Sequence, residues 1–592
     1  MARGQNQRGR GGGRGVVKPV SQPVRRVRTP ARGRRNSIAE DGLNMAQIRN
    51  AMVEQGETGP GSMAVDQPAP APDMVVDARP GAGPGWVDAQ ARQVGAAPGV
   101  GDPRPGGNEE DILPRIRPEV PQPVLGQEAG DMDGGGWGAI DRVGGWNSLL
   151  TEFNMLQEVP YQHEEVWVWA WGHVLQKLHT AEGAQDTNRA LMWLMFLPQA
   201  LLREAKRGGR QGRGLVAKRF NALSRGDWGT LVELWERDKR AAEMRGHQPR
   251  QQRPDSEQQQ RMKKVVVDLI SKGQISRAMS RMNSCGIGNI ADPDILSQLK
   301  DKYPQRGREL PHRVERGQAV DNLKGLRESL SQLKGGVSAG SGGLRPEYLV
   351  VLAEKMEREE MELLEEFGMK YLQGDLPPWF YVVWLSVQTV ALFKNRDQDA
   401  VRPLGMRNPL LKQFHREPIT QNKDAIVAYF EPQQLVVSKG GAAKLVFSVR
   451  SLAEARRDFV CVKMDLKNAF NAVARRAIIE SLQADPSLKH MAWLAAVVLA
   501  PVTGLESLGD KWGDCEEGGT QGDPLTGFLF GVAIHPYVRE LDAALTEVGG
   551  MARFGCDDGY ALGPPEVVFP ALERFATSLR ELCLLQWERS KT

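Results

Sequence analysis

Cysteine is scarce in this chain of 592 residues: only Cys285, Cys461, Cys515, Cys556 and Cys583 are present, far apart. None forms a C-x-x-C pair and the eight histidines are scattered. Zinc-site spacing is therefore lacking, and a reducing compartment is expected. Long apolar runs are lacking too. The best, MAWLAAVVLAPVTGL at 491–505, is interrupted by Pro501 and falls short of the ~18–20 residues of a membrane span. It reads as a core helix. The N-terminus has no apolar signal-peptide core. The Gly- and Ser-rich KGGVSAGSGGLRPEYL at 334–349 leads into a helix, but no Gly-Lys-Ser/Thr closes it, which excludes a Walker loop. These absences point to a soluble intracellular protein with no membrane partner.

Charge is nearly balanced overall at +4 but unevenly placed, since the first 40 residues hold eleven Arg and Lys against one Glu. Residues 1–135 are rich in Gly, Pro and Arg with little to bury, the composition of a disordered arm. Within it Arg8, Arg10, Arg14, Arg25, Arg26, Arg34 and Arg35 are candidate phosphate contacts. VRRVRTPARGRR at 24–35 also fits a nuclear localisation signal, and a solubilising tail without a specific partner is the plainer alternative. From about 137 the texture changes. EEVWVWAWGHVLQKL, ALMWLMFLPQALL and TLVELWERDKRAAEM read as helices whose tryptophans belong to a core. KRGGRQGRGLVAKRF at 206–220 reads as a basic loop, and GHQPRQQRPDSEQQQ at 246–260 as a linker. A helical pair turning at Gly273 follows.

Three further stretches carry acidic or glycine-rich signals. In FVCVKMDLKNAFNAVARRAIIESL, Val460, Val462 and Met464 alternate with Cys461, Lys463 and Asp465, a strand period. Asp465 thus lies at the carboxyl end of a strand, where open sheets commonly bind ligands; a helix cap by Asp465 or Asn468 is the alternative. In EEGGTQGDPLTGFLFGVAIHPYVREL, Asp523-Pro524 is a cap and first-turn pair for an apolar helix, preceded by a glycine loop that presents Gln521. In RFGCDDGYALGP, Asp557 and Asp558 sit at the tip of an expected hairpin. Taken alone, each has an ordinary structural explanation. VQTVALFKNRDQDAVRPLGM adds a strand, loop and strand with Lys394 and Arg402 as separated cations.

The order of these stretches resembles the palm of a reverse transcriptase. DLKNAFN is similar to the family's first palm motif, GGTQGDPL to its second, CDDGYALGP to its third, and LCLLQWERSKT to its fourth. SGGLRPEYL and LFKNRDQDAVRPLG resemble fingers motifs, QQLVVSKGGAAKLVFSVR the segment before the palm, and QISRAMSRMNSCG the N-terminal extension of retroelement polymerases. Asn-Ala-Phe-Asn leans towards the non-LTR retrotransposons. The resemblance covers roughly residues 190–592. It implies an α+β fold with right-hand fingers and palm, the palm an antiparallel sheet backed by helices. The expected divisions are a disordered arm over 1–135, a mainly helical extension over 136–310, fingers over 311–450 and palm over 451–592.

The implied activity is RNA-directed DNA polymerase: transfer of dNTPs to a primer 3′-hydroxyl on an RNA template. Two Mg²⁺ ions, with Mn²⁺ as a substitute, would be held by Asp465, Asp557 and Asp558. Hard carboxylate oxygens suit such ions, and clustered carboxylates repel one another without them. By resemblance Lys394 and Arg402 would hold the triphosphate, and Gln521 and Gly522 would line the nucleotide. Phe470 would be the steric gate that favours deoxynucleotides, and Lys591 would protonate pyrophosphate. Two departures stand out. Gly555 occupies a position where the family usually has an aromatic, with Phe554 one step earlier as a stand-in only if the strand register slips. The sequence ends at Thr592, where the family continues into a thumb; the expectation is a chain without thumb, endonuclease or ribonuclease H, unless a separate polypeptide supplies them. The alternatives are an inactive nucleic-acid-binding remnant of a retroelement and an RNA-dependent RNA polymerase. A nuclear or cytoplasmic ribonucleoprotein is the expected setting.

Overall fold

The computed structural model describes residues 136–143, 153–204, 210–244, 255–271, 273–435, 437–507 and 510–588. The Arg-rich arm, with Arg8, Arg10, Arg14, Arg25, Arg26, Arg34 and Arg35, lies outside the described residues, as does Lys591.

Apolar spacing explains the first helices. In α1 (Glu164–His179), Trp167, Trp171, Val174 and Leu178 recur at helical intervals and are all buried. Trp169 falls off that face and is 43% exposed, stacked against His173 and Trp228. Helices α2 (Ala184–Leu202), α3 (Arg210–Ser224) and α4 (Trp228–Glu243) complete the bundle, with Trp193 and Trp235 in its core. The expected basic loop is therefore helical from Arg210 onward, because Val216 and Phe220 give it a buried face. The bundle is bolted by Arg203, fully buried, whose guanidinium lies 2.9 Å from Asp238; Arg219 reaches the same carboxylate at 3.3 Å. Burial, with Arg219 alongside, pushes the Arg203 guanidinium down to about 9 despite Asp238. The expected linker is likewise helical from Asp255, in a helix spanning Asp255–Ser271 that turns at Gly273 into a second, Ile275–Met282.

Nine strands form two sheets among the described residues. They are β1 (Ile287–Gly288), β2 (Val387–Phe393), β3 (Val401–Met406), β4 (Val460–Lys467), β5 (Thr503–Ser507), β6 (Asp510–Cys515), β7 (Met551–Gly555), β8 (Asp558–Gly563) and β9 (Gln586–Trp587). In the first sheet β2 pairs antiparallel with β1 and β3 and parallel with β5, which pairs with β6. The second is wholly antiparallel, in the order β7-β8-β4-β9. Further helices bear on the site: α5 (Arg358–Gln373), α6 (Pro409–Gln421), α7 (Gly441–Ala455), α8 (Arg475–Ala484), α9 (Pro524–Thr546) and α10 (Pro565–Leu582). Helix α9 packs against β7 and β8 and lies beside α10, so one face of the second sheet is covered by helices. Phe528, Phe530, Val532, Phe554, Val568 and Leu572 fill that interface. The fold is α+β. MAWLAAVVLAPVTGL, expected as a core helix, is a buried helix only over Ala492–Leu499; past Pro501, which cannot continue it, the chain enters strand β5.

Candidate active site

The site begins with alternation along β4. Val462, Met464 and Leu466 point into the core, while Cys461, Lys463 and Lys467 stand on the other face, exposed. Asp465 belongs to that outer face by the same alternation, yet is only 8% exposed. Its neighbours bury it. Asp558 of β8 lies directly opposite, and Gly555 of β7 lies opposite Asp558. On the other side the N–H of Glu588 donates to the Asp465 carbonyl at 2.8 Å, continuing the register that pairs Leu466 with Trp587. Directly opposed residues of antiparallel strands share a face. Gly555, Asp558, Asp465 and Glu588 therefore form one row across the sheet. Asp465 is part of the strand and not a helix cap. Asn468 is the N-cap residue of the short helix Ala469–Ala472, but in a left-handed conformation (φ 51°) and without a side-chain cap bond.

The β7–β8 hairpin turns through two residues, Cys556 and Asp557. Cys556 has φ 68°, a region disfavoured for a residue with a Cβ, and its side chain is nonetheless buried. Burial, with Asp557 adjacent, pushes its thiol well above the usual range. Asp557 and Asp558 are both half-buried. Asp558 Oδ1 is buried with no hydrogen-bond partner and has Lys463 Nζ at 3.6 Å. Register thus joins Asp465 to Asp558, and Asp557 occupies the turn beside them. Among the described residues no three His, Cys, Asp or Glu side chains converge as a metal-ligating group. Phe554 does not stand in for an aromatic at 555: it is fully buried beneath the hairpin, its ring 5.7 Å from Phe575. A Cβ at position 555 would meet Leu445 Cδ2 of α7 at 2.9 Å, so a side chain there requires the Leu445 tip to shift.

The glycine loop between β6 and α9 is fixed at both ends. Arg475, fully buried at the start of α8, donates to the carbonyls of Gly518, Cys515, Leu499 and Pro501, while its own N–H donates to Glu517 at 2.7 Å. Burial pushes this guanidinium below its usual value. Gly518 has φ 57°, and a Cβ on it would sit 2.3 Å from the Phe470 carbonyl, so only glycine fits. The next N–H, of Gly519, donates to that carbonyl at 2.8 Å. At the far end Asp523 caps α9, accepting from the Leu525 N–H at 3.0 Å, with Pro524 in the first turn. Burial alone would raise the Asp523 carboxyl, but His415 and Arg407 outweigh it and hold it far below the usual range. Gln521 is half-buried and Gly522 exposed on this loop. Phe470 is half-buried, its ring 5.1 Å from Phe530 of α9.

Lys394 and Arg402 belong to the other sheet. Arg402 is exposed on β3 opposite Leu392, and Lys394 is exposed just past β2, its N–H donating to the Ala400 carbonyl at 2.9 Å. Register places both on one face of the hairpin. The hairpin meets the glycine loop at Gly405, whose absent Cβ would lie 2.2 Å from the Thr520 methyl and 3.4 Å from the Gln521 carbonyl. The sequence-predicted residues thus fall into three groups: Asp465, Asp557 and Asp558 on one sheet; Gln521 and Gly522 on the loop, with Phe470 whose carbonyl accepts from Gly519; and Lys394 and Arg402 on the β2–β3 hairpin, away from its contact with the loop at Gly405. Lys463, Arg407, Arg475, His415 and Glu588 were not singled out from sequence. The alternation of VCVKMDLK was a sufficient signal for Lys463; nothing local separates fully buried Arg475 from half-buried Arg476.

No family model matches the chain, and no curated protein matches it. Among solved structures, apo telomerase from Candida tropicalis, truncated from its C-terminal domain, is similar over 35% of this chain and 49% of that one. The sequence identity is 14% and the TM-score 0.27. The chain spans about half the length of that structure. Among the described residues no helix is long and apolar enough to cross a membrane.

Proposed function

We propose that this chain is an RNA-directed DNA polymerase of a retroelement, adding deoxynucleotides to a primer 3′-hydroxyl on an RNA template. The observation that carries the reading is the cross-strand pair Asp465–Asp558, with Asp557 in the adjoining two-residue turn. The donor set suits divalent magnesium: all are hard oxygens, and Asp558 Oδ1 is buried without a hydrogen bond to lose. Asp465, Asp557 and Asp558 would hold two ions, which when bound stabilise the attacking and leaving oxygens of an in-line phosphoryl transfer. Lys463, at 3.6 Å from Asp558, tempers carboxylate repulsion meanwhile.

The chain's own groups do the rest. Lys394 and Arg402 neutralise and orient the triphosphate from one face of the β2–β3 hairpin. Gln521 and Gly522 line the nucleotide at the N-terminal mouth of α9. Phe470, braced against Phe530, crowds the ribose 2′ position. Lys591 donates a proton to the leaving pyrophosphate. Primer extension by the purified chain tests this reading. It uses a primed RNA template, dNTPs or rNTPs, and Mg²⁺ or Mn²⁺, with Asp557→Asn as control. Extension with dNTPs that disappears in the variant supports it. RNA retention without extension would instead mark a binding remnant, and preference for rNTPs an RNA polymerase.

A further inference from the structure

Arg407 connects the two parts of the nucleotide side and belongs to neither. It is 8% exposed and lies one residue beyond β3, five after Arg402. Its Nη1 donates to the Leu385 carbonyl at 3.0 Å and its Nη2 to Thr520 Oγ1 at 3.0 Å. Its Nε is 3.0 Å from Asp523 Oδ2, an ion pair off the hydrogen-bonding line. Asp523 in turn accepts from His415 Nδ1 at 2.9 Å, and His415 Nε2 lies 2.8 Å from the Tyr371 hydroxyl. With Nδ1–H donating to the carboxylate, Nε2 is left to accept a hydrogen bond from the Tyr371 O–H. One guanidinium thus spans the end of helix Pro378–Trp384, the glycine loop and the cap of α9. A lysine ammonium has no planar fork with which to do so.

We propose that Arg407 is a positioning residue that locks the Gln521–Gly522 loop to the Arg402-bearing hairpin, setting nucleotide affinity without touching the nucleotide. The close approach at Gly405 is the second half of this joint: the Thr520 methyl of the loop packs onto the strand where Gly405 has no Cβ, 2.2 Å from where that Cβ would lie, so the loop is seated directly against β3. The inference rests on the polymerase reading for its consequence, but not for its mechanics.

The test uses the full chain with Arg407→Lys, which keeps charge and loses the fork, and Thr520→Val, which removes one acceptor at nearly constant volume. Both should raise the KM for dNTP at least roughly fivefold while kcat stays within about twofold, the signature of lost ground-state and transition-state binding alike. Hydrogen exchange, read on the same proteins, should quicken at Gly519, Asp523, Leu525 and along β3, with β4 and β8 unchanged. An unchanged KM in both variants, or a fall in kcat alone, overturns the proposal. So does exchange that is unaltered or raised uniformly. A wild-type chain that extends no primer overturns the functional reading instead, and the exchange pattern still decides whether Arg407 locks the loop.

Discussion

At the scale of single residues, the site is defined by side chains whose direction follows from strand alternation. Asp465 was legible because Val462 and Met464 flank it in an inward rhythm. Its pairing with Asp558 was not, because register across 92 intervening positions is a tertiary fact. Gly555 reads differently once α7 is in place: a side chain there would have to displace the tip of Leu445. Phe470 gives the sharpest residue-scale prediction. Its ring lies 5.1 Å from that of Phe530, and in the proposed function it would act against a 2′-hydroxyl by bulk alone. Phe470→Val should lower discrimination against ribonucleotides on the order of tenfold or more, with dNTP incorporation largely kept. Competitive single-nucleotide incorporation measures this directly, and unchanged discrimination would remove Phe470 from the gate.

At the scale of elements, the helical bundle and the glycine loop are both organised around buried arginines. Composition showed tryptophan-rich helices with a core, and Trp167, Trp171, Trp193 and Trp235 do lie in it. It did not show that Arg203 and Arg219 share Asp238, since buried and exposed arginines look alike in sequence. Removing one partner of a buried ion pair leaves an uncompensated charge. Asp238→Asn should therefore destabilise the chain by about 2 kcal/mol, below the usual cost of breaking a buried pair because Asp238 itself is 28% exposed. Denaturant unfolding followed by tryptophan fluorescence would measure it; a loss below about 1 kcal/mol would make the pair an ordinary surface contact. The loop between β6 and α9 was recognisable from its glycines and from Asp523-Pro524. The clamps that fix it, Arg475 and Arg407, come from segments 40 or more residues away, which no local pattern reveals.

At the scale of the whole molecule, two sheets meet through that loop, and a buried carboxyl sits on the first of them. Glu506 of β5 is 5% exposed, and burial pushes it up to about 7 from 4.5, although Ser386 and Lys511 oppose the shift. A folded-state value above the unfolded one means that the native protein holds the proton more tightly. The resulting stabilisation is complete below about pH 4.5 and is lost as pH rises through about 7. Glu506→Gln, which mimics the protonated acid, should thus gain in melting temperature over the wild type as pH rises from about 5 to about 8. A gap independent of pH would show that Glu506 does not titrate in this range. The basic arm makes a separate prediction. Deleting residues 1–40, with eleven Arg and Lys against one Glu, should weaken RNA binding and flatten its salt dependence, because fewer counterions are released. Filter binding across a salt series would read both; an unchanged slope would leave the arm without an electrostatic role.

In the proposed function the β4 strand and the β7–β8 hairpin together hold catalytic divalent ions. The most direct measurement is Mn²⁺ binding to the full chain, followed by electron paramagnetic resonance, with primed RNA template and an incoming dNTP present. The wild type should take up Mn²⁺, and Asp465→Asn and Asp558→Asn should each abolish or sharply weaken that uptake while leaving the circular dichroism unchanged. Mn²⁺ uptake equal in the wild type and both variants, or none in the wild type, would mean that these carboxylates hold no catalytic metal.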